Sequence, residues 1–182
     1  MAVLWEDTRQ HEGKHDAKEG WWAAHGVEVV RRKLDFGDYM REGSNVSVDT
    51  KRNVDEIAQN INGRSHARFR RECERARDAG FRLVVLVENR HGYREVADMR
   101  SWTNGHCRAC RERRGGLCDP RDPRGRCPRH GTAKPIQGPR LALAMQTMSG
   151  RYGVEFALCA PGDAARAVCD LLGIEYGEDE RQ

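Results

Sequence analysis

Between residues 89 and 135 the chain contains only two residues of the Leu, Ile, Val and Phe class, Val96 and Leu117. Forty-seven residues with so little to bury cannot offset the entropy of ordering themselves, so something other than a hydrophobic core must hold them. The same stretch carries four of the seven cysteines (Cys107, Cys110, Cys118 and Cys127) and four of the six prolines. Outside it, 29 of 135 residues belong to the Leu, Ile, Val and Phe class, about 21%, which is adequate for a small core. The chain therefore reads as one domain, 1–89 with 136–174, interrupted by a cysteine-rich insertion at 90–135. An acidic tail, 175–182, follows.

The core segments alternate between the two hydrophobic periods. AVLWED (2–7) and VEVVRR (27–32) read as strands, with a helix between them anchored by Trp21 and Trp22. FGDYMREGSNVSVDTKR (36–52) reads as two strands around a turn at Glu42–Asn45. Asn53 is a fitting N-cap for a helix, with Glu56 placed to complete a capping-box-like arrangement. A basic helix at 65–79 follows, with Phe69, Cys73 and Ala76 on one face. FRLVVLVEN (81–89) is continuous enough for a strand buried on both faces. Leu141, Ala144, Met145 and Met148 mark a helix, VEFALC (154–159) a strand, and Ala164, Ala167, Val168 and Leu171 a last helix. The expectation is an α/β fold with a central sheet flanked by helices.

The chemically loaded residues sit in the hairpin. In a strand, residues i and i+2 share a face, so Asp49 and Lys51 point together while Val48 and Thr50 take the other side. Pairing of 36–41 with 46–51 would bring Asp38 beside them. Two carboxylates and an ammonium at one spot suit Mg²⁺, which prefers hard oxygens and adds phosphate oxygens of a substrate. The competing reading is a surface ion pair on a strand, worth about 0–1 kcal/mol.

The wider segment decides between them. Gly37-Asp38-Tyr39, then Asp49-Thr50-Lys51 with Asp55 four residues beyond, then Asn62-Gly63-Arg64, resembles the nuclease domain of the XPF-type structure-specific endonucleases, in the PD-(D/E)XK superfamily. Glu6-Asp7-Thr8-Arg9-Gln10 is similar to that family's opening segment, and VVLVEN ending in Glu88 and Asn89 to its next core strand. The likeness covers roughly 2–89 and, more loosely, 137–172. It implies a restriction-endonuclease-like core with a mixed sheet, and a Mg²⁺- or Mn²⁺-dependent endonuclease acting on branched or non-B DNA. It further implies Asp38, Asp49 and Thr50 at the metal, Lys51 as the catalytic lysine and Asp7 as a further acid. Arg64 would face a phosphate, with Arg9 beside it; apart from the resemblance, the charge of the basic helix, with Arg68 and Arg71, suits DNA backbone contact and equally a solvated face. Asp55 also fits as a first-turn complement to the helix dipole, Arg9 as the partner of a local acid, and Glu88 as a plain strand-end carboxylate.

Two departures stand out. The family's acid-Arg-Lys triplet here reads Asp-Thr-Lys, and no helix-hairpin-helix segment follows the core. The stand-alone form is similar to bacteriophage or mobile-element versions acting in DNA repair or recombination in a bacterial host cell. A homodimer is a further implication of the resemblance.

In the insertion, Cys107-Arg-Ala-Cys110 forms one knuckle and Cys127-Pro-Arg-His130 another, a spacing that suits structural Zn²⁺. Cys107, Cys110 and Cys127 are three expected ligands, and either Cys118 or His130 is the fourth. From Cys107 to Arg140 there are ten basic and three acidic residues, an excess of +7 against +4 for the whole chain. This charge suits contact with DNA backbone, and equally a solvated loop in an arginine-biased chain of 27 Arg and 5 Lys. No run approaches the roughly 18 apolar residues of a membrane span. Glu6 comes too early for a signal peptide. The expected setting is cytoplasmic. Two rivals of another class remain: a catalytically silent DNA-binding module of a nuclease complex, and a zinc-stabilised interaction protein.

Overall fold

The computed structural model describes residues 2–9, 16–114, 127 and 135–177. Strands β1 (Leu4–Asp7), β2 (Val29–Arg32), β3 (Tyr39–Arg41), β4 (Val46–Lys51), β5 (Arg82–Glu88) and β6 (Glu155–Cys159) form one mixed sheet in the order β2-β1-β3-β4-β5-β6. Only β3 runs against its neighbours; β1 and β2 are parallel, as are β4, β5 and β6. Five strands therefore end, and β3 begins, at the same edge of the sheet. The α/β expectation holds at this level.

Helices α1 (Asp16–Ala24), α2 (Val54–Asn62), α3 (His66–Asp78), α4 (Gly105–Arg114), α5 (Gly138–Tyr152) and α6 (Ala164–Leu172) complete the described fold. Alternation along β5 divides the core in two. Leu83, Val85 and Val87 pack with α2, α3 and α5, whereas Val84 and Leu86 pack with Trp22 of α1 and Val168 and Leu172 of α6. The second layer is pinned by the Trp22 indole, which donates to the Ala165 carbonyl at 3.1 Å. The α2 start follows its capping signal, since the Asn53 side chain accepts from the Glu56 N–H at 2.9 Å. Glu56 returns the bond to Arg52 N–H at 3.0 Å rather than to the cap itself.

The first part of the stretch read as insertion is built into the core. Met99 and Trp102 are buried against α5, and the 3₁₀ turn Val96–Ser101 carries them there. Leu, Ile, Val and Phe alone undercounted this segment, because its buried residues are Met and Trp. The turn packs so closely on α5 that a Cβ at Gly138 would collide with the carbonyls of Met99, Arg100 and Trp102. Cys118 and His130 lie outside the described residues. Among the described residues no helix is long and apolar enough to cross a membrane.

Met99→Ala is expected to cost about 2–5 kcal/mol in urea unfolding, the range for a large core side chain truncated to Ala. Leu143→Ala, at a side chain 63% exposed, should change stability by less than about 0.5 kcal/mol.

Candidate active site at the carboxyl end of the sheet

The common edge of the sheet gathers Glu6 and Asp7 from β1, Asp38 before β3, Asp49 and Lys51 from β4, and Glu88 from β5. Gly37 makes the approach to Asp38 possible. Its φ of +66° lies in the left-handed region, and a Cβ there would meet Ser47 Oγ and the Val48 backbone. The chain then re-enters the ladder, with Asp38 N–H donating to the Val48 carbonyl at 2.8 Å.

Asp38 is oriented by Thr50. Its Oδ2 accepts from the Thr50 N–H at 2.8 Å and from the Thr50 hydroxyl at 2.7 Å. Thr50 thus holds a carboxylate from the face opposite Asp49 and Lys51. Asp49 is only 5% exposed. Lys51 Nζ lies 2.7 Å from both Asp49 oxygens and hydrogen-bonds to Oδ1. Oδ2 is buried, and its close contact is the ion pair with the same ammonium.

Burial pushes the Asp49 carboxyl up to about 7, against the opposing pull of the Lys51 ammonium; Asp38 and Glu72 push it further up. Lys51 is held above its ordinary value because Asp49, and then Asp38, outweigh its own burial. The lysine stays charged. The ring of Phe69 lies 5.9 Å from its Nζ.

Glu72 was not among the expected residues. It stands on α3 between the inward-facing Phe69 and Cys73, and its Oε1 is 3.5 Å from the Gly37 N–H. Its place three residues after Phe69 was the available signal, since i and i+3 are neighbours on a helix. Asp7 adjoins Asp38 through its backbone, its N–H donating to the Asp38 carbonyl at 2.8 Å, while its carboxylate Oδ2 accepts from Arg9 Nε at 2.6 Å and Oδ1 from the Leu34 N–H at 3.4 Å. The β1 acid that feels Asp38 is Glu6, buried on the other face and raised chiefly by that burial. Nearby, Lys18 of α1 pairs with Glu88 at 2.7 Å, both largely buried.

Arg9 is spent on Asp7 and on the Leu34 carbonyl. Arg64, Arg68 and Arg71 are exposed on the turn into α3 and along α3 itself. Gly63 in that turn sits 2.5 Å, by its would-be Cβ, from the Gln59 carbonyl, so a side chain would not fit without movement.

Asp55 is a docking point. Its Oδ1 accepts from the Gly105 N–H at 2.8 Å, and Oδ2 lies 3.2 Å from Arg108. It ties α2 to the start of α4. Cys107 and Cys110 fall one turn apart on this helix, in a helical rather than a knuckle conformation. Cys107 Sγ accepts from Gln137 Nε2 at 3.2 Å. Cys107, Cys110 and Cys127 are all half-buried thiols. Among the described residues no three His, Cys, Asp or Glu side chains form a set able to hold a metal.

No family model matches the chain, and no curated protein matches it. The site is defined by its own geometry: an α/β protein with a buried carboxylate–lysine pair and a second, oriented carboxylate at the carboxyl end of a mixed sheet.

Asp55→Ala should free the α4 start. Hydrogen exchange at Gly105 and Arg108 is expected to rise at least tenfold, with Val84–Val87 unchanged.

Proposed function

We propose that the chain is a divalent-metal-dependent DNA endonuclease of the XPF type, cutting phosphodiester bonds at branched or non-B structures. The observation that carries this reading is the buried Asp49, with the Lys51 ammonium 2.7 Å from both of its oxygens, at the same sheet edge as the Thr50-oriented carboxylate of Asp38. Buried carboxylates gathered at one edge repel one another, and a cation bound among them offsets that cost. The donor set is all hard oxygen, which suits Mg²⁺ or Mn²⁺. Asp49 and Asp38 would hold the ion, together with Thr50, the residue after Asp49 in the motif. Such an ion, when bound, activates water and neutralises charge developing on the phosphate.

The chain's own groups supply the rest. Thr50 fixes the direction of Asp38, and Asp49 keeps Lys51 protonated and in place. From there the ammonium stabilises negative charge on the reacting phosphate. Arg64, Arg68 and Arg71 provide exposed cations for neighbouring phosphates, giving affinity that falls with salt. Zn²⁺ is assigned a structural role in the cysteine segment, held by Cys107, Cys110 and Cys127 with Cys118 or His130. The supporting feature is a pair of half-buried thiols one helical turn apart, outside both core layers.

Cleavage of end-labelled splayed-arm, flap, four-way-junction and linear duplex DNA in Mg²⁺ or Mn²⁺ tests the assignment. Asp49→Ala and Lys51→Ala are each expected to lower the rate at least a hundredfold; unchanged cleavage by Lys51→Ala would overturn it. Salt-sensitive binding without cleavage by the parent would favour a silent DNA-binding module.

The pH profile offers an independent check. Metal ligation needs Asp49 deprotonated. With its carboxyl raised to about 7, the rate should climb with pH through that region at low Mg²⁺. Raising Mg²⁺ should move the limb to lower pH, because metal and proton compete for the same oxygens.

A further inference from the structure

A pocket of about 210 Å³ opens at the same end of the sheet, beyond β5 and β6. Tyr93, Arg94, Cys159 and Arg166 line it, with Asp163 and Asp170. Its position follows from strand direction. Cys159 is register partner to Glu88, and β4 lies one strand further on. Two strand spacings put it about 10 Å across the sheet from Lys51.

The loop bearing Tyr93 is preformed. Buried Asn89 accepts from the His91 and Tyr93 N–H groups at 3.2 and 2.9 Å, and donates to the carbonyls of Tyr93 and Cys159. Asp98 then takes the Arg94 and Glu95 N–H groups at 2.8 and 3.1 Å. The Tyr93 hydroxyl accepts from Ser101 Oγ at 3.2 Å, and its ring stacks on His91 at a centroid distance of 5.1 Å.

The charges in the pocket balance. Arg166 pairs with Asp163 at 3.1 Å, and Asp170 accepts from the Tyr176 hydroxyl at 2.8 Å. A neutral pocket walled by an aromatic ring and hydrogen-bonding carboxylates suits a base more than a bare phosphate. The exposed Arg94 at its mouth suits the phosphate attached to that base.

We infer that this pocket receives an unpaired nucleobase of a DNA strand whose cleavage occurs at Asp38, Asp49 and Lys51, an inference that rests on the nuclease reading above. Stacking on Tyr93 supplies sequence-tolerant affinity, as at other single-strand sites. The carboxylates accept from ring N–H and amino groups of the base. The enzyme thereby favours DNA with unpaired nucleotides near the bond cut.

The test uses full-length Asp49→Asn protein, so that binding is read without cutting. A duplex with a single-stranded arm carrying 2-aminopurine should bind about tenfold more tightly than its blunt counterpart, with quenched fluorescence. Adding Tyr93→Ala should abolish both the preference and the quenching, whereas Tyr93→Phe should retain them. Arg94→Ala, a change at an exposed side chain, should weaken arm binding several-fold and lower the salt slope by about one. The inference fails if Tyr93→Ala and Arg94→Ala leave the arm preference intact. It fails equally if free dAMP displaces the quenched signal at micromolar concentration, which would mark a mononucleotide site. Failure of the nuclease reading looks different: the parent cuts no DNA while the arm preference persists.

Discussion

A carboxylate sealed under α3 at the end of a central strand is the constraint around which this molecule is arranged. Removing Asp49 from water costs several kcal/mol by itself, and one lysine two residues on returns only part of that. Lys51 can sit there because strand alternation puts it on the same face, and because β5 and α3 exclude water from both side chains. The left-handed turn at Gly37 then brings a second carboxylate close enough to raise the local charge further. Packing of the hydrophobic layers holds this unfavourable concentration of charge in place. Among the described residues, the buried acids Glu6, Asp7 and Asp49 share one edge.

Much of this was legible in the chain. Period-2 alternation in Val46–Lys51 located Asp49 and Lys51 on one face, and the Asn53–Glu56 pair located the start of α2 within a residue. The resumption of apolar periodicity after residue 136 located α5, β6 and α6. These signals are local, and local signals survive folding when neighbouring elements agree with them.

What was not legible depended on partners far apart in sequence. Asp7 and Glu6 are adjacent, and the placement of β1 beside β3 sends the Asp7 carboxylate to Arg9 and Leu34 while leaving the Glu6 carboxyl in the field of Asp38. Glu72 reaches the site because α3 crosses β4, a fact of packing rather than of spacing. Lys18 finds Glu88 across 70 residues, after α1 docks on the second layer. The boundary of the insertion was drawn too early for a simpler reason: Met99 and Trp102 do the burying in that stretch, and counting aliphatics with Phe passes over both. Asp55, four residues past Lys51 in the motif, holds the start of α4 through Gly105 and Arg108.

The neck of the cysteine segment has a further consequence. The Gly138 N–H donates to the Trp102 carbonyl at 3.0 Å, and the Asn104 N–H to the Gln137 side chain at 3.2 Å. Trp102 and Asn104 are therefore fastened to Gly138 and Gln137 at the foot of α5. Closure entropy grows only with the logarithm of length, about 0.6 kcal/mol per doubling. Residues can be gained or lost beyond that clasp at small thermodynamic expense, while the strands on either side keep their register. The crossover from β5 to β6 thus works as an expansion joint, a place where the chain can acquire new chemistry without renegotiating its sheet.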